Sequence, residues 1–156
     1  MFDLLALAAA ALTSCPVERA HYVLRDHPDV TADFRSVARD PDWPSGLALG
    51  VHHTASGRTF WWLPWNGGSD GLQNVASTGD VSAKGWHPPD PDGGPRPFGS
   101  QHYIGTDAAY HILNRVPNRG EPAPAHMLFP DSAGSQDHVF VARQFFDLAG
   151  CRPRGG

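Results

Sequence analysis

Between residues 47 and 65 apolar side chains occupy both alternating sets of positions, with a break at Ala55, Ser56 and Gly57. Successive residues of a strand point to opposite faces, so this pattern predicts two strands, 47–54 and 58–65, each apolar on both sides. A three-residue hairpin loop ends well on Gly57, where the chain turns left-handed. That register pairs Thr54 with Arg58, His53 with Thr59, His52 with Phe60, Val51 with Trp61, Gly50 with Trp62 and Leu49 with Leu63. One face then carries Leu49, Val51, Trp61 and Leu63. The other carries Ala48, Gly50, Phe60 and Trp62, with the Trp62 ring covering the glycine. A hairpin apolar on both faces belongs at the centre of a sheet, covered on each side.

Shorter runs repeat the theme. Residues 20–26 and 30–37 predict strands around a turn at His27, Pro28 and Asp29. Residues 40–45 predict a loop, 66–71 a turn and 72–78 a third strand. Residues 84–100 are too dense in Pro and Gly for regular structure. Residues 103–113 fit either a short helix or strands. Residues 126–129 and 139–146 predict further strands. The expectation is a mainly β (or α+β) fold: a single compact domain of short antiparallel strands, a sandwich or open barrel with long Pro/Gly-rich loops.

Composition agrees. Fifteen Pro and seventeen Gly in 156 residues interrupt any long helix. The net charge of −4 comes without a basic run, and Lys84 is the one lysine among 12 basic residues. Nucleic acid is therefore not an expected partner. Past the N-terminus no apolar stretch is long enough to span a membrane.

The N-terminus changes the picture. Residues 4–12 form a Leu/Ala run suited to the core of a secretory signal, and Ala8-Ala9-Ala10 offers a small-x-small cleavage pattern. No basic residue precedes the run, and Asp3 has the wrong sign. A start upstream of Met1 would account for both. The expectation is a signal-like segment, 1–14, ahead of a single β-rich domain, 15–156, exported to the periplasm or cell envelope. The alternative is a short buried helix in a cytosolic protein. Cys15 and Cys151 then have three readings. They form a disulfide joining the two ends, which we favour. Or Leu12-Thr13-Ser14-Cys15, which resembles the bacterial lipobox, places a lipid anchor on Cys15. Or both remain free thiols.

Candidate chemistry is sparse. Gly67 to Gly71 matches G-x-S-x-G, but no helix follows, so the motif reads as a turn in which Asn66 and Asp70 bond their own backbone. Nine histidines include no metal-binding spacing. His52 and His53 are adjacent on a strand, so their rings face opposite ways. A metal site assembled from His53, His126 or His138 is the minor alternative, and no metal or cofactor is expected. Asp90-Pro91-Asp92-Gly93-Gly94 has a faint calcium-loop character but reads as a stiff loop. Of the five tryptophans, Trp65 and Trp86, beside turns, are the better surface candidates for a sugar-stacking platform. The candidate binding residues are His53, Trp65, Asn66, Asp70, Trp86 and His126. No catalytic residue is assigned.

The run from Phe60 to Gly68 (Phe-Trp-Trp-Leu-Pro-Trp-Asn-Gly-Gly), with Asn74-Val75-Ala76-Ser77-Thr78 and Pro91-Asp92-Gly93-Gly94-Pro95-Arg96-Pro97, resembles a group of uncharacterised exported bacterial proteins. The resemblance spans most of the chain from Cys15 onward. It implies export and a single domain, and it carries over no catalytic residue. The expected role is non-enzymatic, a binding or accessory domain of the envelope with ligand and partner unknown. The alternative is a small metal-dependent or hydrolytic enzyme.

Overall fold

Short apolar runs separated by turns condense into antiparallel strands that share one sheet. The computed structural model describes residues 15–67, 72–131 and 143–153. Ten strands follow in chain order: β1 (Ala20–Leu24), β2 (His27–Ser36), β3 (Leu47–His53), β4 (Arg58–Asn66), β5 (Gln73–Thr78), β6 (Ser100–His102), β7 (Ile104–Thr106), β8 (Ile112–Leu113), β9 (His126–Leu128) and β10 (Phe146–Cys151). Among the described residues the helical structure is a single 3-10 turn, Val17–Arg19. The strands order as β6-β5-β4-β3-β2-β1-β10-β9-β7-β8, every pairing antiparallel.

This sheet curls into a half-barrel, and the chain itself links its two sides. β6 pairs with β5, β7 pairs with β9, and Tyr103 alone separates β6 from β7. Inside the curl lies the main core, including Tyr22, Phe34, Leu49, Val51, Phe60, Trp62, Tyr103, Met127 and Phe146. A second cluster covers the outer face: Trp43, Ala48, Trp61, Leu63 and Ala76, with Trp65 and Trp86 packed against it. The hairpin β3–β4 is thus central and apolar on both sides, as its pattern predicts.

Its register differs from the expected one by a single residue. Leu49 faces Trp62, Gly50 faces Trp61, Val51 faces Phe60 and His52 faces Thr59. The cause lies in the loop. Thr54 turns away from Arg58 and bonds β2 instead, its N–H and its hydroxyl both donating to the Asp29 carbonyl at 2.9 Å. The loop therefore spans residues 54–57 and ends, as expected, on a left-handed Gly57 (φ 67°). Every partner in β4 shifts with it. Trp61, not Trp62, covers Gly50, where an added Cβ would lie 2.9 Å from the Trp61 ring. Trp62 goes inward.

Two other expectations need correction, and one open alternative is decided. The β1–β2 turn falls at Arg25 and Asp26, with Asp26 left-handed (φ 65°), and His27, Pro28 and Asp29 open β2. Asp tolerates that backbone region because its short side chain bonds locally. A register shift between Val23 and Leu24 absorbs the extra residues. Residues 103–113 form β7, β8 and a turn rather than a helix. The last strand begins at Phe146 instead of ending there, while 139–142 lie outside the described residues.

The two termini of the domain meet. Ala20 pairs with Cys151 across β1 and β10. Cys15 and Cys151 form a disulfide with Cα atoms 5.7 Å apart. A sulfur held in that bond is not free to carry a lipid thioether, so the bridge excludes the lipobox reading for this state of the chain. No helix among the described residues is long and apolar enough to cross a membrane.

Candidate functional site

The outer face of β3, β4 and β5 would expose Trp61, Leu63 and Ala76 if nothing covered it. Two long connections do so. The 37–46 segment winds through an Asx turn, with the Asp42 N–H donating to Asp40 Oδ1 at 2.9 Å, and delivers Trp43 to the sheet. Trp43 is buried, and its Nε1 donates to the Pro89 carbonyl at 2.9 Å. The Pro-rich 79–99 segment closes over it. Gly94 makes that fold possible: its N–H donates to the Asp90 carbonyl at 2.8 Å, and a Cβ there would meet that oxygen at 2.6 Å. Asp90 Oδ1 accepts the Asp92 N–H at 2.9 Å, so the run with calcium-loop character is a self-bonded turn.

Between these loops and the end of β4 is a pocket of about 310 Å³, with Asp42, Trp43, Trp65, Asn66, Asp92 and Arg96 among its walls. The Arg96 guanidinium lies 5.1 Å from the Trp43 ring centre, a cation–π distance. Its N–H groups donate to the carbonyls of Asp90, Pro91 and Pro95. Among the described residues no carboxylate pairs with it, and the Asp42 and Asp92 carboxylates accept no hydrogen bond. The pocket thus presents indole surface beside uncommitted acceptors and a charged donor. The Trp65 Nε1 is buried without a partner among the described residues. No family model, curated protein or solved structure matches this chain.

Two of the candidate residues meet here, Trp65 and Asn66. Asn66 plays a different part from the expected one: its Oδ1 accepts the Val116 N–H at 2.9 Å, tying the end of β4 to a distant loop. From β5, the Asn74 Nδ2 donates to the carbonyls of Gly67 at 3.1 Å and Leu72 at 3.0 Å. Asp70, like Gly68, Ser69 and Gly71, lies outside the described residues, so the G-x-S-x-G run does too. Trp86 packs on the outer cluster away from the pocket and donates its Nε1 to Thr78 Oγ1 at 3.2 Å. Asp42, Trp43, Asp92 and Arg96 are the members that the candidate residues did not include. No local signal distinguishes a loop tryptophan that folds back from one that stays exposed.

The histidine candidates go elsewhere. His53 stands edge-on to Phe60, with ring centres 5.3 Å apart. Desolvation lowers its pKa, with Arg58 adding to the effect and Asp29 opposing it. His126 belongs to a clamp at the far side of the sheet. Its Nδ1 lies 2.7 Å from Asp147 Oδ1, and Tyr110 stacks flat on the ring at 4.2 Å. Arg25 donates two bonds to the same carboxylate, at 2.8 and 2.7 Å, and a third to the Tyr110 hydroxyl. No group of three His, Cys, Asp or Glu side chains among the described residues is placed to hold a metal ion. His138 lies outside the described residues.

The clamp makes a pH prediction. The Arg25 hydrogen bonds, helped by His126 and opposed by partial desolvation, hold the Asp147 carboxyl below its usual range. A carboxyl depressed in the folded state stabilises above its unfolded pKa of about 3.9 and loses that contribution as pH falls through the folded value. Melting curves should therefore show Asp147→Asn less stable than the native chain at pH 6. The gap should narrow as pH drops toward 3. A gap that stays constant over that range would show the carboxylate charge to be irrelevant to the clamp.

Proposed function

We propose that this chain is an exported binding domain whose outer pocket takes a polyhydroxylated ring, a saccharide. One observation carries the reading: Trp43 and Trp65 share a pocket with Asp42, Asp92 and Arg96, whose charges are not spent on one another. A sugar ring offers an apolar C–H face for indole surface and a rim of hydroxyls that both donate and accept. Carboxylates accept from such hydroxyls and a guanidinium donates to them. Pockets of this size with a few convergent polar groups on a rigid frame are the usual form of small-ligand sites. Export is supported by the Cys15–Cys151 bridge, since disulfides persist chiefly in oxidising compartments. The signal-like run at residues 4–12 and the resemblance to exported proteins point the same way.

Titration of the purified protein with neutral oligosaccharides, followed by tryptophan fluorescence, should give a saturable change. Asp92→Asn and Arg96→Ala should each weaken binding at least about tenfold, the equivalent of roughly 1.4 kcal/mol. Trp86→Ala should leave it intact. A flat titration, or unchanged affinity in both pocket variants, would remove the saccharide reading. Recovery of the protein from the cytoplasm with two free thiols would remove export.

A further inference from the structure

A separate cleft on the same outer face, about 610 Å³ in volume, holds Asp33, His52 and Thr59 from three adjacent strands. His52 and Thr59 are direct cross-strand partners, and Asp33 lies diagonally across on β2. The His52 Nδ1 is 2.9 Å from Thr59 Oγ1, and its Nε2, buried and without a hydrogen-bond partner among the described residues, is 3.3 Å from Asp33 Oδ1, close enough for charge attraction but not aligned as a hydrogen bond. The ring is held in place on its other sides. Trp61 meets it edge-on at 6.1 Å, and Gly50 leaves the space it needs, since a Cβ there would lie 3.0 Å from His52 Cε1. Arg35, 5.3 Å from the Trp61 ring centre and bonded to Ser82, supplies a cation in the cleft. The second oxygen of Asp33 is 3.6 Å from Arg152. Burial alone would raise the Asp33 carboxyl, but His52, Arg152 and His21 outweigh it and keep it ionised.

We propose that Thr59 is the nucleophile of an acyl-transfer site that hydrolyses small carboxylic esters, with His52 as its base and Asp33 as the residue that positions His52. Hydroxyl, imidazole and carboxylate stand in the order of nucleophile, base and orienting charge. With the His52 proton on Nε2, facing Asp33, Nδ1 is free to accept. Thr59 Oγ adds to the ester carbonyl carbon, and its proton passes to Nδ1. The C–O bond to the alcohol breaks, and the alcohol leaves with that proton. Water then adds to the acyl-threonine as His52 takes its proton, releasing the acid and restoring the hydroxyl. No other reactant is needed. This inference is independent of the saccharide pocket.

The probe is p-nitrophenyl acetate with the full, oxidised chain. The native protein should release nitrophenol above background and carry an acetyl group on the peptide containing Thr59. Thr59→Ala, at an exposed position that leaves the fold intact, should lower the rate at least about a hundredfold, and Thr59→Ser should restore it. Asp33→Asn should lower kcat and leave KM unchanged. Absence of hydrolysis by the native protein overturns the proposal. So does a rate that survives Thr59→Ala, which would mark His52 or another imidazole as the acyl acceptor.

Discussion

Replacing Cys15 and Cys151 together by serine lowers the melting temperature by roughly 10–20 °C, the largest effect expected of any change in this chain. The bridge closes a sequence separation of 136 residues. Chain-entropy reasoning assigns a loop of that length about 5 kcal/mol, because the open unfolded chain gains so many conformations. The native contacts around the bridge explain why little is lost in closing it. β1 already pairs with β10, the Arg152 N–H donates to the Arg19 carbonyl at 2.8 Å, and the Ala123 N–H donates to the Cys15 carbonyl at 2.8 Å. The cysteines are therefore held close by backbone hydrogen bonds on both sides. Cys151 is exposed, so a reductant reaches the bond without unfolding. Calorimetry with and without reductant measures the difference directly, and thiol titration of the oxidised protein should find none free. An unchanged melting temperature on full reduction would mean that β1–β10 pairing alone closes the sheet.

How far such features can be read from sequence depends on whether their cause is local. The central hairpin is legible because both faces of residues 47–53 and 58–65 are apolar, a property of the residues themselves. Its register is not, because Thr54 is captured by Asp29 on another strand, a contact no local rule contains. The β1–β2 turn is misplaced for a related reason. Pro28 is a strong turn signal, but Asp26 takes the left-handed position and Pro28 stays in the exposed opening of β2. The disulfide is legible because two cysteines at the ends of one domain leave few alternatives. The pocket is half legible. Trp65 and Asn66 stand out beside a Gly-rich turn. Trp43 and Arg96 reach the pocket through long connections whose path the sheet decides. The contact of Asp33 with His52 and Thr59 is invisible in sequence, because strand pairing brings together residues that share no motif.

Trp62→Ala should cost about 3–5 kcal/mol, while Trp86→Ala should cost about 1 kcal/mol. Both are tryptophans near the middle of the chain, and composition does not separate them. Their places in the sheet do. Trp62 is 2% exposed inside the curl, opposite Leu49 on β3 and Ser77 on β5, in the cluster with Val51, Phe60 and Phe129. The strands around it are hydrogen-bonded on both sides, so the walls cannot collapse into the space a missing indole leaves. The corrected register strengthens this expectation, since Trp62 fills the interior and Trp61 takes the task of covering Gly50. Trp86 is half-buried at the margin of the outer cluster, and its loss removes one hydrogen bond to Thr78 and part of a solvent-facing contact. Denaturant melts of the two variants decide the matter. A loss for Trp86→Ala as large as that for Trp62→Ala would mean that the outer tryptophan layer carries as much of the stability as the interior.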